Sequence, residues 1–417
     1  MATTTPRHVL IVGCGLGGPC LALSLARKGI RSTIFEIRPE PSESGGSISL
    51  APNGLRVLDR YAGVYDRLRD VGFSYHRFGA YVDDGEKLGE IVAGEVSEGE
   101  KGYPSVRIMR SGLLRILLEG IRETEGKVEI QWGARISGIK EDEHGVTASL
   151  EDGSEVTGDI LIGADGIHSK VREHILGAES PKATYEGICL VNGFVPASSV
   201  TKPSPDFTFP SFVFTSSGML MSIPIDRKGE TLAWGINMTV KEERSREGWK
   251  EFGKSGEAAR LAKADYDKIR SEPVRSLLDN ANDSQARLWP IYAIPDDIPK
   301  WHTPRVCLIG DAAHALPPNA GQGSAMAFED SAIMVRLLTD GKFTSYDELF
   351  AKFESVRRAR IAVLKANSKA GGVSKAETGP WMWYLKKWAY RGFFWWKRGQ
   401  LQMAKLLDYD VDGVDLA

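Results

Sequence analysis

The strongest constraint on this chain lies near its start, where an apolar run, a glycine-rich turn, an apolar helix and a second apolar run follow one another. Val9 to Val12 suit a strand buried on both faces. Gly13 to Gly18 then turn the chain, and Leu21, Leu23, Leu25 and Ala26 make an apolar helix that ends near Gly29. Ser32 to Glu36 return as a second strand. This is a βαβ unit, which requires parallel strands and a right-handed crossover. It places the chain in the α/β class.

Downstream periodicities extend that reading. Pro39 to Gly46 reads as a loop and Gly54 to Val71 as a helix. After Arg110, the apolar positions Leu113, Leu114, Leu117, Leu118 and Ile121 describe a helix packed on a sheet. Strands are expected at Val128 to Gln131, Val146 to Leu150 and Ile160 to Ile162. Between about 181 and 295 the character turns to β, with Ile188 to Val195, Phe212 to Phe214, Met219 to Ile225 and Thr231 to Val240 rich in aromatic and branched residues. Strand Val306 to Ile309 restores the α/β style, with helices from about Gly323 to Leu338 and Ser345 to Asn367. At about 150 residues per domain, 417 residues allow two or three domains. The division expected is a discontinuous α/β domain (1–75, 101–180 and 296–375), an inserted β-sheet domain for substrate (76–100 and 181–295), and a helical, Trp-rich C-terminal segment (376–417).

Composition narrows the function. The 53 Lys and Arg against 55 Asp and Glu leave a net charge of -2, so no global field attracts nucleic acid. Cys14, Cys20, Cys189 and Cys307 show neither disulfide-framework nor zinc spacing, which suits a reducing, cytoplasmic setting. No metal site is expected. The N-terminus reads as the first strand rather than a leader, and no apolar run of about 18 residues suggests a spanning helix.

Gly13-Cys14-Gly15-Leu16-Gly17-Gly18 fits GxGxxG between a strand and a helix, and Glu36 ends the next strand at the distance of about 20 residues expected of an acid that binds a ribose. In this pattern Gly13 permits the tight turn, Gly15 lets the backbone approach a pyrophosphate and Gly18 brings helix and strand together. The helix N-terminus offers free N–H groups to the anion. A carboxylate at Glu36 accepts hydrogen bonds from an adenosine ribose and repels a 2′-phosphate, so the site favours FAD or NAD over NADP.

Two further strings separate those cofactors: GADGIHSKVR at 163–172, and GDAAHALPPNAGQG at 310–323 after the strand VCLI. With GxGxxG they resemble the three signatures of the class A flavin-dependent monooxygenases, which include para-hydroxybenzoate hydroxylase, salicylate hydroxylase and the tetracycline-inactivating monooxygenases. The resemblance spans residues 8 to 370. It implies a Rossmann-like FAD-binding domain of the GR2 type with an inserted β-sheet substrate domain. It also implies FAD as cofactor, NADPH or NADH as a transient co-substrate in a surface groove, and O2.

Carried over residue by residue, the resemblance assigns Asp311 to the ribityl and pyrophosphate side of FAD, Arg110 to the flavin chain, and Gly321 to Gly323 to the pyrimidine edge. The stretch GGSISLAPNG from Gly45, with Gly46, resembles the segment that passes the isoalloxazine ring. Asp165 would link FAD binding to NAD(P)H binding. Gly323 opens a helix whose positive end would stabilise an anionic reduced ring by about 0.3 to 1 kcal/mol. The local alternatives are that Asp311 caps its turn, Asp165 binds its own loop and Arg110 merely starts a helix. His314 reads as a packed side chain rather than an acid or base.

In the family, NAD(P)H reduces FAD, and a flavin C4a-hydroperoxide hydroxylates or epoxidises an aromatic or polycyclic small molecule, while the protein supplies position and dryness. No catalytic side chain is assigned. Pocket candidates are Pro317, Tyr185, Asn192, Phe214, Met221, Trp234 and Asn237, with Phe194, Phe212, Met219 and Met238 as further wall residues. No histidine lies between His174 and His302, so the insert offers no obvious base for a phenol. The rival readings are an FAD-dependent reductase of the geranylgeranyl-reductase type and a plain NAD-dependent dehydrogenase; the latter leaves GDAAHALPPNAGQG unexplained.

In the C-terminal segment, Trp381, Trp383, Trp388, Trp395 and Trp396 alternate with Lys386, Lys387, Arg391, Lys397 and Arg398, with no acid among them. A helix packed across both domains is the preferred reading; a weak, peripheral membrane-surface contact through 381–398 is the other.

Overall fold

In the computed structural model, the described residues are 5–43, 45–94, 102–295, 298–316, 321–370, 378–397, 400–402 and 407–416. Five parallel strands form the central sheet, in the order Val306–Leu308, Ile160–Gly163, His8–Val12, Arg31–Glu36, Val128–Trp132. Val9, Leu10 and Ile11 are fully buried, as an apolar run inside a parallel sheet must be. Helix Gly17–Ala26 has no polar stripe and is covered by helices Arg110–Arg122 and Gly323–Asp340. An antiparallel sheet of Ile136–Glu141, Val146–Leu150 and Glu155–Gly158 spans the crossover from Val128–Trp132 to Ile160–Gly163.

The single helix expected from Gly54 to Val71 is two, Pro52–Arg60 and Tyr65–Val71. Gly63, at φ +71°, turns the chain between them. A small antiparallel sheet, ordered Ser47–Leu50, Ser105–Met109, Phe73–Tyr75, joins the two halves of the molecule.

The second half is an eight-stranded mixed sheet. Its order is Arg287–Ala293, Thr184–Pro196, Thr231–Thr239, Gly218–Pro224, Ser211–Thr215, Arg77–Val82, Lys87–Val92, Gln400–Gln402. Side chains alternate between its faces. Tyr81, Val191, Val213, Leu220, Trp234 and Ile236 point into a core with Trp249, Ala259 and Leu277. Those three come from helices Arg246–Lys254, Glu257–Ala264 and Val274–Asn280, within a stretch whose composition suggests β structure. On the opposite face Phe78, Phe212 and Met221 pack with Tyr75. The C-terminal segment supplies helix Pro380–Trp396 and also a strand, Gln400–Gln402, which pairs in parallel with Lys87–Val92.

Candidate active site

The glycine-rich turn is built for close approach. At Gly13, φ is +107° and a Cβ would sit 2.5 Å from the Ala164 carbonyl oxygen; at Gly18 it would sit 2.1 Å from that of Gly13. Neither position admits a side chain. Gly15 differs, since among the described residues a Cβ there would meet only Arg110 Nη2, at 3.6 Å, so its backbone faces a gap rather than the core. Glu36 is 3% exposed and closes one end of that gap. Its Oε2 accepts from the Cys14 N–H at 2.8 Å and its Oε1 from the Arg38 N–H at 3.0 Å. Arg38 Nη1 also donates to Oε1 at 3.3 Å, and the carboxylate keeps lone pairs beyond these three bonds.

Arg110 sits at the centre. Its N–H donates to the Gly46 carbonyl at 3.0 Å, and its side chain passes 3.3 Å from where a Gly45 Cβ would lie. Burial, with Arg38, lowers the pKa of this guanidinium, while Asp311 and Glu36 oppose that. Asp311 follows Gly310, at φ +59°, in the turn after the strand Val306–Leu308. Its carboxylate is exposed to the cleft yet walled in by protein, and this desolvation raises its pKa against the influence of His314 and Arg110. Gly321 and Gly323 are exposed, with nothing among the described residues within 4 Å of a Cβ at either. Between them Gln322 is buried, its Oε1 accepting from Asn53 Nδ2 at 2.9 Å. Ala327, one turn into the helix that Gly323 opens, lies under both Gly17 and Gly310. The three glycine strings therefore meet around one cleft.

Asp165 holds its own loop, its Oδ2 accepting from the N–H groups of Lys170 at 2.7 Å and Val171 at 3.2 Å. Its Oδ1 is buried and makes no hydrogen bond among the described residues, and desolvation raises its pKa against the Ser169 hydroxyl and those N–H groups. His314 is buried, with Nε2 2.7 Å from Asp330 Oδ2, and packs against Trp301. Asp330 also accepts from the Gly310 N–H and from Arg357, which in turn pairs with Glu329. His314 thus braces the turn that presents Asp311 rather than facing the cleft.

The FAD-binding domain family matches this chain over residues 7–368. The chain belongs to that family. Among the proteins it resembles is 6-hydroxynicotinate 3-monooxygenase of Pseudomonas fluorescens, 27% identical over 86% of this chain and 89% of that one. Another is 3-amino-4-hydroxybenzoate 2-monooxygenase PtmB3 of Streptomyces platensis, 30% identical over 89% of each. In fold it resembles a salicylate hydroxylase substrate complex, with a TM-score of 0.75, 22% identity, and 98% of this chain and 97% of that one covered. The protein is an FAD-dependent monooxygenase; the reductase and dehydrogenase readings are not favoured.

On the substrate side of this monooxygenase, the sheet faces sort the candidates. Asn192 lies against Gly46, its Oδ1 3.5 Å from where a Cβ would stand, so it reaches the cleft. Met221 packs beside Gly235 on the same face, which alternation also gives to Asn237 and Phe212. Phe214 shares this face but is covered by Tyr390 of the C-terminal helix, with ring centroids 4.8 Å apart. Trp234 and Tyr185, expected in the pocket wall, lie on the other face. Trp234 is 1% exposed and lies on the helix-covered face, as does Met238. Tyr185 packs toward that same core and donates to the Val240 carbonyl at 2.9 Å. Both strands have the right composition, but the alternation sends these two rings away from the cleft. Pro317 lies outside the described residues.

Three residues escaped the sequence reading. Arg172, inside the second motif, donates from Nη1 to the Ala312 carbonyl at 2.9 Å and from Nη2 to that of Ile167 at 2.7 Å. Asn53, inside GGSISLAPNG, binds Gln322 and Glu329, far along the chain. Arg107 lies three residues before Arg110, and its Nε and Nη1 each donate at 3.0 Å, to Ser47 Oγ and Ser49 Oγ. The alternation of Ser47 and Ser49 with Ile48 and Leu50 was the available signal for a polar face.

Proposed function

We propose that this monooxygenase inserts one atom of O2 into an electron-rich aromatic or polycyclic small molecule, with NADPH or NADH as the reductant. The balance is substrate–H + O2 + NAD(P)H + H+ → substrate–OH + H2O + NAD(P)+. The carrying observation is that Gly46, seated on Arg110, abuts Asn192, so the proposed cofactor cleft opens directly on the inner face of the large sheet. Similar proteins named for hydroxynicotinate and aminohydroxybenzoate support an aromatic substrate.

When bound, FAD supplies the redox step with the nicotinamide and the activation of O2. The chain positions and shields it. Gly15 admits the pyrophosphate, Gly13 and Gly18 hold the turn that presents it, Glu36 accepts from the adenosine ribose, and Arg110 and Asp311 hold the ribityl and pyrophosphate length. Gly321 and Gly323 flank the pyrimidine edge at the start of a helix, where the free N–H groups favour negative charge. Asp165 links this cleft to the nicotinamide through its unpaired oxygen. Asn192, Met221 and Asn237 orient the substrate, and the aromatic face around Phe212 excludes water. The test is a screen of phenolic, indolic and polyketide compounds for stimulated NAD(P)H oxidation, with products weighed for one added oxygen. Oxidation that no compound stimulates contradicts the proposal.

A peripheral membrane contact accompanies this reading. Helix Pro380–Trp396 seats Trp383 and Phe394 against Ala80, Val82 and Phe214, and leaves Trp381 85% and Trp395 83% exposed. Met382, Tyr384, Leu385, Trp388 and Trp396 are exposed beside them, and no charged residue interrupts this face. The cations that looked unopposed in sequence divide: Lys387 pairs with Asp83 and Asp84, and Arg391 with Glu86. Lys386 and Lys397 border the apolar face without a carboxylate among the described residues. Tryptophan and tyrosine rings rimmed by lysine match the headgroup layer of a bilayer. Among the described residues no helix is long and apolar enough to cross one. Flotation with phosphatidylcholine–phosphatidylglycerol vesicles should carry the wild type, and Trp381→Ser/Trp395→Ser/Trp396→Ser should stay at the bottom. Equal flotation of the two, or none by the wild type, contradicts the contact.

A further inference from the structure

Helix Pro380–Trp396 stands over one end of the large sheet, and its two sides differ. Its inner side, with Trp383, Tyr390 and Phe394, packs on Val82 and Phe214 of the sheet face that also carries Asn192. Its outer side leaves Trp381, Tyr384, Leu385, Trp388, Trp395 and Trp396 exposed, while Lys387 and Arg391 turn back to carboxylates of the sheet domain. At 3.6 residues per turn, these six exposed positions share one half of the helix. An exposed apolar area of this kind marks a surface that meets a membrane or another molecule.

Between Asn192 and that helix the sheet face is apolar. The three strands that separate them, Thr231–Thr239, Gly218–Pro224 and Ser211–Thr215, contain no ionisable residue. Met221 packs beside Gly235, next to Asn192. Phe212 joins the cluster of Phe78 and Met221 to that of Val82 and Trp383, where Met219 also packs. On the opposite face Val213, Leu220 and Ile236 are sealed in a core, whereas Phe212, Met219 and Met221 keep accessible surface. The strip crosses three strand spacings, about 14 Å. Its two methionines are unbranched and polarizable, so they adapt to the shape of an apolar ligand. One end of the strip is Asn192 against Gly46, at the cofactor cleft, and the other lies beneath a helix whose rings face outward.

We propose that the molecule oxidised is an amphiphile dissolved in the bilayer, an aromatic head with an apolar chain, which helix Pro380–Trp396 takes directly from the membrane. The chain lies along Met221, Phe212 and Met219, and the head reaches Asn192. This rests on the monooxygenase reading and the membrane contact above, and it names the substrate class and its source. Rings at the headgroup layer place the inner side of the helix, and the strip below it, at the depth where such a molecule keeps its head. An apolar chain desorbs slowly into water, so direct uptake gives the outward rings a function beyond anchoring.

The test is ligand binding to the FAD-loaded protein without nicotinamide, read from the perturbation of flavin absorbance, so turnover plays no part. The first arm compares 4-propylphenol with 4-heptylphenol in solution. The longer chain should bind about ten-fold or more tighter, since each buried methylene is worth about three- to four-fold. Met219→Gln should lose most of that gain while binding 4-propylphenol as the wild type does, which also shows that the variant is folded. The second arm mixes the protein in a stopped-flow instrument with phosphatidylcholine–phosphatidylglycerol vesicles that carry 4-dodecylphenol. Uptake by the wild type should quicken in proportion to vesicle concentration, as collision with the bilayer requires. Trp381→Ser/Trp395→Ser/Trp396→Ser should bind 4-heptylphenol normally in solution, yet take up 4-dodecylphenol at one slow rate set by its escape into water. No gain with chain length, including no perturbation by either phenol, overturns the proposal; so does an undiminished gain in Met219→Gln. A wild type that floats with vesicles yet takes up ligand at a rate independent of their concentration also overturns it, and leaves the membrane contact standing. In that case the ligand arrives through water. A wild type that does not float and shows that same constant rate removes both, and the outward rings then serve a protein partner or a second copy of this chain. Both expected results in a protein that never couples NAD(P)H oxidation to O2 would leave the binding strip standing and remove only the monooxygenase reading.

Discussion

Arg172 donates from Nη1 to the Ala312 carbonyl at 2.9 Å and so ties the loop carrying Asp165 to the turn carrying Asp311. The side chain is buried, and its Nη2 is spent on the carbonyl of Ile167. Two of the three motifs are thereby fixed to each other by one guanidinium. The sheet hydrogen bonds end where the Ile309 N–H donates to the Gly163 carbonyl at 2.9 Å, and Arg172 carries the link on into the two turns beyond.

Arg172→Ala leaves two carbonyls short of a charged donor, which should cost about 2 kcal/mol or more in stability. The loss should appear in urea denaturation of the apoprotein, with weaker FAD binding in fluorescence titration. A stable variant with unchanged FAD affinity would show that the two loops hold their places without this bond.

Glu36→Ala removes a carboxylate that accepts from Cys14 and Arg38 while facing the cleft. One buried acceptor of this kind is worth about 1 to 3 kcal/mol, so FAD affinity should fall by about 10- to 100-fold with the fold intact. Titration of the apoprotein checks this; an unchanged affinity removes Glu36 from the adenosine end.

Arg357→Met removes one partner from each of Glu329 and Asp330, both fully buried, leaving Glu329 with Arg360 and Asp330 with His314, and should destabilise the protein by about 3 kcal/mol. Burial alone would push the Asp330 carboxyl up, yet His314 and Arg357 hold it down at about 2. A pKa lowered on folding stabilises the native state above the unfolded value of about 3.9. That contribution is complete above this value and is lost as pH falls toward about 2. Stability measured between pH 5 and 2 should therefore decline on the acid side more steeply than in Asp330→Asn. Parallel curves would refute the assignment.

Cys14 lies in the glycine-rich turn, where burial first and Glu36 second push its thiol up to about 12. All four cysteines are buried and free. None should react with iodoacetamide at neutral pH in the native protein, and all four should react in denaturant, as read by intact mass. Fast native alkylation at Cys14 would mean that the turn opens.

The cofactor side was legible because each motif is continuous in sequence and its glycines have local steric reasons. Gly13 and Gly18 need only their own turn and the neighbouring strand. The substrate side was not, because its residues are chosen by phase and register. Asn192 and Trp234 are both plausible wall residues in composition, yet a strand alternates and the insert carries helices on one face, so Asn192 meets Gly46 while Trp234 meets the helical core. The helices of the insert went unread because they are short and charged on their outer sides, within a stretch dominated by branched and aromatic residues. The pairing of Ser49 with Arg107 depends on strand register across more than fifty residues, which no local pattern encodes.

The most direct measurement is turnover of the FAD-loaded protein with NADH or NADPH and a panel of aromatic acids and phenols under 18O2, followed by product mass spectrometry. Incorporation of one 18O atom per product molecule, with NAD(P)H consumed, is the result expected. A product that carries no oxygen from O2, or the same product formed anaerobically by hydride transfer, would contradict the account.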